Sequence, residues 1–442
     1  MHVFLDVSRL LTVANRPAPS GIDRVELAYA RHWASGEAGE CTFVAEVPLL
    51  GFAALPTSLV RELVAALEES WGSGTRLAGG AARRARLSLP FGRPALNEAL
   101  RRPGPKAFLL VSHRALERPG RIATMRRNGC HFIPLIHDLI PLVHPEFARA
   151  GQAEKHKRRI ITTAALADAI IVNSAATAVE LAPWLAARQD RPLIAVAPLG
   201  VSSSAVDAPP VALRPYFVAL GTIEPRKNHL LLLNLWRQFA STMGGAAPRL
   251  VVVGRRGWEN ENVLDMLERC SALDGLVREA GSLPDREVGS LLRGARALLF
   301  PSFAEGFGLP LAEALALGVP VLSSDLPALR EVGRQVPDYH DPLDGMAWRG
   351  AVLDYARPDS ASRRAQLGRM ASWKAPSWAD HFTEVERLFD SLLRRPAEPE
   401  SLPRRPAEPE SFPRRPAAPL EAAEAPRQMA RPALARRDEG LT

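Results

Sequence analysis

Cysteine is scarce in this sequence: Cys41, Cys130 and Cys270 are the only three among 442 residues. Wide spacing and an odd count exclude a disulfide framework and the close pairs of a zinc site, and fit a reducing compartment. Long hydrophobic runs are also missing. Nothing reaches the roughly 18 uninterrupted apolar residues that a spanning helix requires; even Leu230 to Leu235 is flanked by Arg226, Lys227 and Arg237. The opening Met1-His2-Val3-Phe4-Leu5-Asp6-Val7 lacks the cationic start and apolar core of a signal peptide and reads as a buried strand. The expectation is a cytoplasmic protein, peripheral at the inner face of a membrane if it meets one.

What is present is ordinary globular material. Hydrophobic residues make up 47% and charged residues 24%, far from the balance of disordered or membrane chains. The length exceeds the roughly 100–200 residues of one compact domain, so two domains plus extras are expected. A net charge of +8 suits anions such as nucleotide phosphates, acidic glycans, nucleic acid or anionic lipid, a list too broad to choose from. Basic runs stand at Arg83-Arg84-Ala85-Arg86 and Lys155-His156-Lys157-Arg158-Arg159. Each reads as a solvated helix face or as a contact for a membrane surface or anionic acceptor.

Short Val/Ile/Leu-rich runs alternate with helical segments: Phe108 to Val111, Phe132 to Ile136, Ala169 to Val172 and Ile194 to Ala197. This is the pattern of a parallel sheet covered on both faces. Ser202 to Pro210, rich in small residues and proline, reads as a linker, after which the alternation restarts with Tyr216 to Leu220, Leu250 to Val253, Ala297 to Phe300 and Val319 to Leu322. Two doubly wound α/β domains are expected, with ligands beyond the carboxyl ends of the strands and in the cleft between domains. The tail repeats Arg394-Arg395-Pro396-Ala397-Glu398-Pro399-Glu400-Ser401-Leu402-Pro403 with little change at Arg404 to Pro413. Its prolines and low apolar content predict disorder, as a spacer or a tether for a partner.

The chemistry concentrates in two segments. Pro301 to Ala314 follows an apolar strand and opens a helix with Pro310 in its first turn. Gly306 and Gly308 permit close backbone approach, and the free N–H groups at the helix start favour an anion. Glu305 on the loop can accept from sugar hydroxyls, and Glu313 inside the helix from a vicinal diol such as ribose; the plain alternative is a solvated loop acid and a favourable helix-start acid. Gly221-Thr222-Ile223-Glu224-Pro225-Arg226-Lys227-Asn228 precedes the helix near His229, so two adjacent cations point to the place where a diphosphate would gather charge as it leaves.

Gly221 to Asn228 together with Glu305-x7-Glu313 resembles the retaining glycosyltransferases of family four, which have the GT-B fold. The likeness covers roughly residues 1–390 and is specific mainly from Tyr216 to Val332. It implies an acceptor-binding N-terminal Rossmann-like domain (1–205), a nucleotide-sugar-binding C-terminal one (206–393) whose last helix can pack back on the first, and the tail (394–442). It further implies Glu305 near the donor hexose, Glu313 on the ribose and Lys227 on the diphosphate with Arg226 beside it, no cofactor and no metal. Thr222 stands where several relatives carry Arg, which shifts the diphosphate contact toward Arg226.

Phe307 and Leu309 complete the expected donor loop, Leu283 in Gly281 to Val288 is the candidate beside the nucleobase, and Gly254 closes a strand of that pocket. In the N-terminal half, Gly21 in Pro19 to Glu26 is the candidate for a loop closing on the phosphates, with Arg24 as an acceptor or phosphate contact. His137, at the end of another strand, is expected beside the transferred sugar, the alternative being a core histidine satisfied by backbone. Asn173, Ser174, His144 and Glu146 are candidates for the acceptor side. The expected donor is GDP-mannose, then UDP- or dTDP-hexoses; the expected acceptor is a surface glycan or its lipid-linked intermediate, and no nucleic acid is expected. The competing readings are an epimerase of the same fold and an inactive glycan-binding scaffold.

Overall fold

The structure is a computed structural model that describes residues 1–48, 50–201 and 215–395. The expected linker at 202–210 and the tail beyond residue 395 lie outside the described residues. The described residues all belong to one compact unit. Within it the described strands make two sheets, one of seven strands and one of six.

The first sheet contains β1 (His2–Asp6), β2 (Cys41–Val47), β3 (Gly51–Leu55), β4 (Lys106–Leu110), β5 (Cys130–Ile136), β6 (Ala169–Val172) and β7 (Leu193–Val196), in the order β3-β2-β1-β4-β5-β6-β7. All neighbours are parallel except β2 and β3. The second contains β8 (Tyr216–Leu220), β9 (Arg249–Val253), β10 (Val277–Gly281), β11 (Leu298–Phe300), β12 (Val321–Ser324) and β13 (Asp338–His340), in the order β10-β9-β8-β11-β12-β13, all parallel. Strand order reverses beside β1 in the first sheet and beside β8 in the second, and it is outside such a reversal that a doubly wound sheet opens a crevice.

Central strands are largely apolar because helices cover both faces. Every residue of β4, even Lys106, is buried. The helix His229–Met243 shows the complementary pattern: Leu232, Leu233, Leu235, Trp236 and Phe239 repeat at helical spacing and are all buried against the second sheet. Each such side chain contributes roughly 1.5–3 kcal/mol of burial. Ser20 opens the helix Gly21–Ala34 with a capping box, its oxygen accepting from Asp23 N while Asp23 accepts from Ser20 N.

The last described helix, Trp378–Leu393, lies against β6 and β7 of the first sheet although it follows the second in sequence. Its anchor is His381: Nδ1 donates to the carbonyls of Ala197 and Pro198 at 3.1 Å, which leaves Nε2 to accept from the Tyr29 hydroxyl at 2.8 Å. Burial lowers this imidazole to about 4 and so favours its neutral form.

Candidate functional site

The loops after β8 and β11 meet at the strand-order reversal of the second sheet, and the two sequence motifs lie on them. The Phe303 N–H donates to the Arg226 carbonyl at 2.8 Å, which ties one loop to the other. Asn228 ends the first loop in the left-handed region, at φ 55, and its Nδ2 donates to the Pro342 carbonyl. Gly221 leaves β8 at φ 146, and a Cβ there would lie 3.2 Å from Lys227 Cε. A side chain at that position would therefore press on the lysine.

Glu305 is the centre of the constellation. Its carboxylate receives Lys227 Nζ at 2.5 Å and Arg226 Nη1 at 2.9 Å, and the arginine also holds Glu224 through Nε at 2.6 Å. The ammonium of Lys227 sits 4.7 Å from the centre of the Phe300 ring. Burial by itself would raise the Glu305 carboxyl, but the charges of Arg226 and Lys227 outweigh it and hold it at about 2. Burial lowers the Lys227 ammonium while the Glu305 carboxylate opposes that shift. Arg226 is pushed up by Glu305 and Glu224 against the effect of its own burial. Glu224 thereby balances the second cation.

Because the Glu305 carboxyl lies below its ordinary value near 4.5, it contributes stability above that pH and loses it as the pH falls toward about 2. Melting temperatures of the wild type and Glu305→Gln, compared from pH 5 down to 3, should converge as the wild type forfeits about 2 kcal/mol. A gap between the two that stays constant with pH would show that the carboxylate is not held this way.

Glu313 lies in the helix Leu309–Ala316, whose start is set by Gly308 in the left-handed region at φ 93. Burial raises its carboxyl, and Arg24 partly offsets the rise. Arg24 itself forms a two-pronged bond to Asp285, Nη1 to Oδ2 at 2.7 Å and Nη2 to Oδ1 at 2.5 Å. Thus a cation of the N-terminal half reaches into the expected ribose region and meets two acids of the other half. The arginine that Asp285 pairs with is 261 residues away in the chain.

Other contacts between the halves account for several candidates. The close approach made by Gly306 is to protein: a Cβ there would be 2.3 Å from the His137 carbonyl oxygen. The Gly306 carbonyl accepts from Ser174 Oγ at 2.7 Å, and Asn173 Nδ2 donates to the His137 carbonyl at 2.9 Å. The side chains of Ser174 and Asn173, residues expected on the acceptor side, tie the Glu305 loop and the end of β5 together. Glu331 accepts from Ala175 N and Ala176 N at 2.7 Å each, capping a helix of the opposite half. Gly21 lies near the start of the Glu313 helix, where an added Cβ would touch Leu309 at 3.4 Å. Gly254 is required by packing, since a Cβ would fall 1.8 Å from the Gly221 carbonyl oxygen. Thr222 lies where a Cβ on Gly257 would meet its methyl, at 2.8 Å. Phe307 is buried in the core shared by the two sheets, and Leu283 packs partly buried against it.

His137 is buried just beyond β5, with its ring Nε2 2.8 Å from the Val111 carbonyl. It therefore donates there, and of its two ring nitrogens only Nδ1 is left for a ligand. Burial lowers the ring to about 4, so it acts as a neutral group. His113 and His156 lie close by, the His113 ring 5.2 Å from each of the other two, a cluster the separated sequence positions did not reveal. His144 and Glu146 pair at 3.4 Å, and Phe147 stacks on Phe303 at 5.4 Å. The basic run at 155–159 is only partly solvated, because His156 is buried and Lys155 and Arg159 both reach Glu117. Among the described residues no group of three or more His, Cys, Asp or Glu is placed to hold a metal ion, and no helix is long and apolar enough to cross a membrane.

Residues 210–335 match the family described as Glycosyl transferases group 1. The chain is similar to the O-antigen chain mannosyltransferase B of Escherichia coli, 34% identical over 182 residues, which are 41% of this chain and 47% of that one. It is also similar to the serotype-specific mannosyltransferase WbdA of Escherichia coli, 29% identical over 248 residues, 51% of this chain and 30% of the relative. The matched part is thus less than half the length of either relative. Among solved structures, Anabaena HepE in complex with UDP-glucose superposes with a TM-score of 0.61 at 14% identity, covering 88% of this chain and all of that one. The sucrose-phosphate synthase of Thermosynechococcus elongatus superposes at 0.56 and 17% identity, covering 89% and 99%. At such identities the likeness is one of fold, and that fold is GT-B.

Proposed function

We propose that this chain, which carries a group 1 glycosyl transferase domain over residues 210–335, transfers a hexose from a nucleoside-diphosphate sugar to a glycan or lipid-linked acceptor in surface-polysaccharide synthesis. The observation that carries this reading is the convergence of Lys227, Arg226 and Glu305 at the strand-order reversal of the second sheet. The similarity to O-antigen mannosyltransferases supports mannose, with GDP-mannose as donor and UDP- or dTDP-hexoses as alternatives.

In this reading the donor diphosphate takes over part of the positive charge that Glu305 now holds, and Glu305 turns its freed acceptor capacity to the hexose hydroxyls. Glu313, kept near Arg24, takes the ribose diol. The bond from the sugar's anomeric carbon to the phosphate oxygen breaks while a bond to the acceptor oxygen forms on the same face. The acceptor proton passes to the departing phosphate, so the configuration is retained. Lys227, Arg226 and the N–H groups at the start of the Glu313 helix stabilise the growing phosphate charge, and no metal or other cofactor takes part. Acceptor contacts fall to residues 1–205 with His137 facing the sugar, donor contacts to 206–393, and residues 394–442 act as a spacer or tether. The work belongs to the cytoplasm, at the inner face of the membrane when the acceptor is lipid-linked.

Thermal shifts against a panel of nucleotides and nucleotide-sugars test the donor, because a ligand bound only by the folded state raises its stability by mass action. One nucleoside-diphosphate sugar should stabilise the chain, and product formation should require an added glycan acceptor. Conversion of the donor without acceptor would favour an epimerase, and no shift with any donor would sink the transferase reading.

A further inference from the structure

Between Ser70 and Asn97 the chain carries five arginines, Arg76, Arg83, Arg84, Arg86 and Arg93, and no acidic residue. The same segment exposes large apolar side chains: Phe91 is 81% accessible, Leu87 64% and Leu77 58%, and Leu50 beside them 62%. This exposure is built in. Leu89 turns into the core while Leu87 and Phe91, on either side of it, face outward. Gly92 is locked on the edge strand β3: its carbonyl accepts from Ala54 N, and a Cβ would meet the Ala54 carbonyl oxygen at 2.0 Å. Arg93 Nη1 donates to the carbonyls of Leu50 and Phe52 at 2.8 and 2.9 Å, which ties the turn carrying Leu50 to the segment carrying Phe91. Leu50 and Arg93 also line a groove of about 260 Å³ with Leu96, Arg121 and Met125, so apolar surface beside cations continues behind the edge.

We infer that this edge of the N-terminal half docks on the surface of a bilayer containing anionic phospholipid, with Phe91, Leu87 and Leu50 entering the interface and the arginines meeting lipid phosphates. Apolar side chains ringed by arginine match that boundary, where each buried apolar group adds affinity and each surface cation is attracted to anionic lipid. Glu62 pairs with Arg84 and cancels that one cation, while Glu98 pairs with Arg102 outside the segment, so Arg76, Arg83, Arg86 and Arg93 keep the patch positive. A second copy of the chain is the poorer occupant, because a two-fold contact would set the same arginines face to face. The docking stands on the exposed patch and not on the sugar-transfer reading, and its readout is binding without donor.

The test is flotation of the full chain with vesicles of phosphatidylglycerol and phosphatidylcholine, against phosphatidylcholine alone. The wild type should bind the anionic vesicles, and the double variant Leu87→Ser/Phe91→Ser should bind them about tenfold more weakly with an unchanged melting temperature. Arg76→Glu/Arg83→Glu should weaken binding and flatten its dependence on salt. Failure of the wild type to bind, or unaltered binding by the Leu87/Phe91 variant whose tail is intact, would overturn the proposal. So would a wild-type dimer that the same variant converts to a monomer without any vesicle binding. A chain that floats normally yet transfers no sugar would sink the transferase reading and leave the docking in place.

Discussion

Replacing Lys227 with alanine should lower sugar transfer by about 10²–10³-fold, the usual cost of removing one preorganised group from a developing charge. The fold should survive. Glu305 keeps Arg226 at 2.9 Å, so its carboxylate is not left without a cation, and the stability cost should stay near the roughly 1 kcal/mol of an average substitution. Glu305→Ala is the contrasting variant. It would strand the buried Lys227, while Arg226 keeps Glu224, and loss of one partner from a buried pair costs about 3–5 kcal/mol. Rates and melting temperatures of both variants therefore separate the cluster's chemical role from its structural one. Wild-type turnover in Lys227→Ala would remove the donor site from these loops.

Gly306→Ala should be nearly as damaging, by a different route. The added methyl would lie 2.3 Å from the His137 carbonyl oxygen and 2.9 Å from Asp138 Cβ, and the carbonyl is held by Asn173. Backbone on both sides leaves little freedom to relax. Either the Glu305 loop retreats or the halves separate, and a displacement near 1 Å at a reacting centre costs about 10²-fold in rate. Overpacking of this kind also destabilises by about 1–3 kcal/mol. Transfer kinetics and a melting curve measure both effects. If Gly306→Ala worked and melted like the wild type, the contact of Gly306 with the end of β5 would not belong to the working state.

The apolar interior strands were legible because a parallel strand covered on both faces has no polar alternation to disguise it. Ala169–Val172 and Tyr216–Leu220 coincide with the runs read from composition. The strands that were not read are three edge strands and Cys41–Val47, an internal strand whose ends carry Thr42 and Glu46 and are only half-buried. Val277–Gly281 and Asp338–His340 are edge strands without a fully buried residue, and Gly51–Leu55 is a short edge strand of mostly small residues. An edge strand has one open side, so burial leaves a weaker mark on its composition.

By itself the sequence determined that two α/β layers of mainly parallel strands would form and that Glu305, Glu313, Arg226 and Lys227 would stand beyond the carboxyl ends of strands. Local patterns suffice for this, since a strand, its Gly turn and the following helix are contiguous in the chain. Only the tertiary structure decided which charges meet: Lys227 on Glu305 across 78 residues with Arg226 beside it, and Arg24 on Asp285 across 261. It also decided that Gly306 serves a contact with the opposite half, and that Leu87 and Phe91 remain in water while Leu89 is buried. Pairing energies and close approaches depend on distances in space, and residues far apart in the chain carry no local record of them.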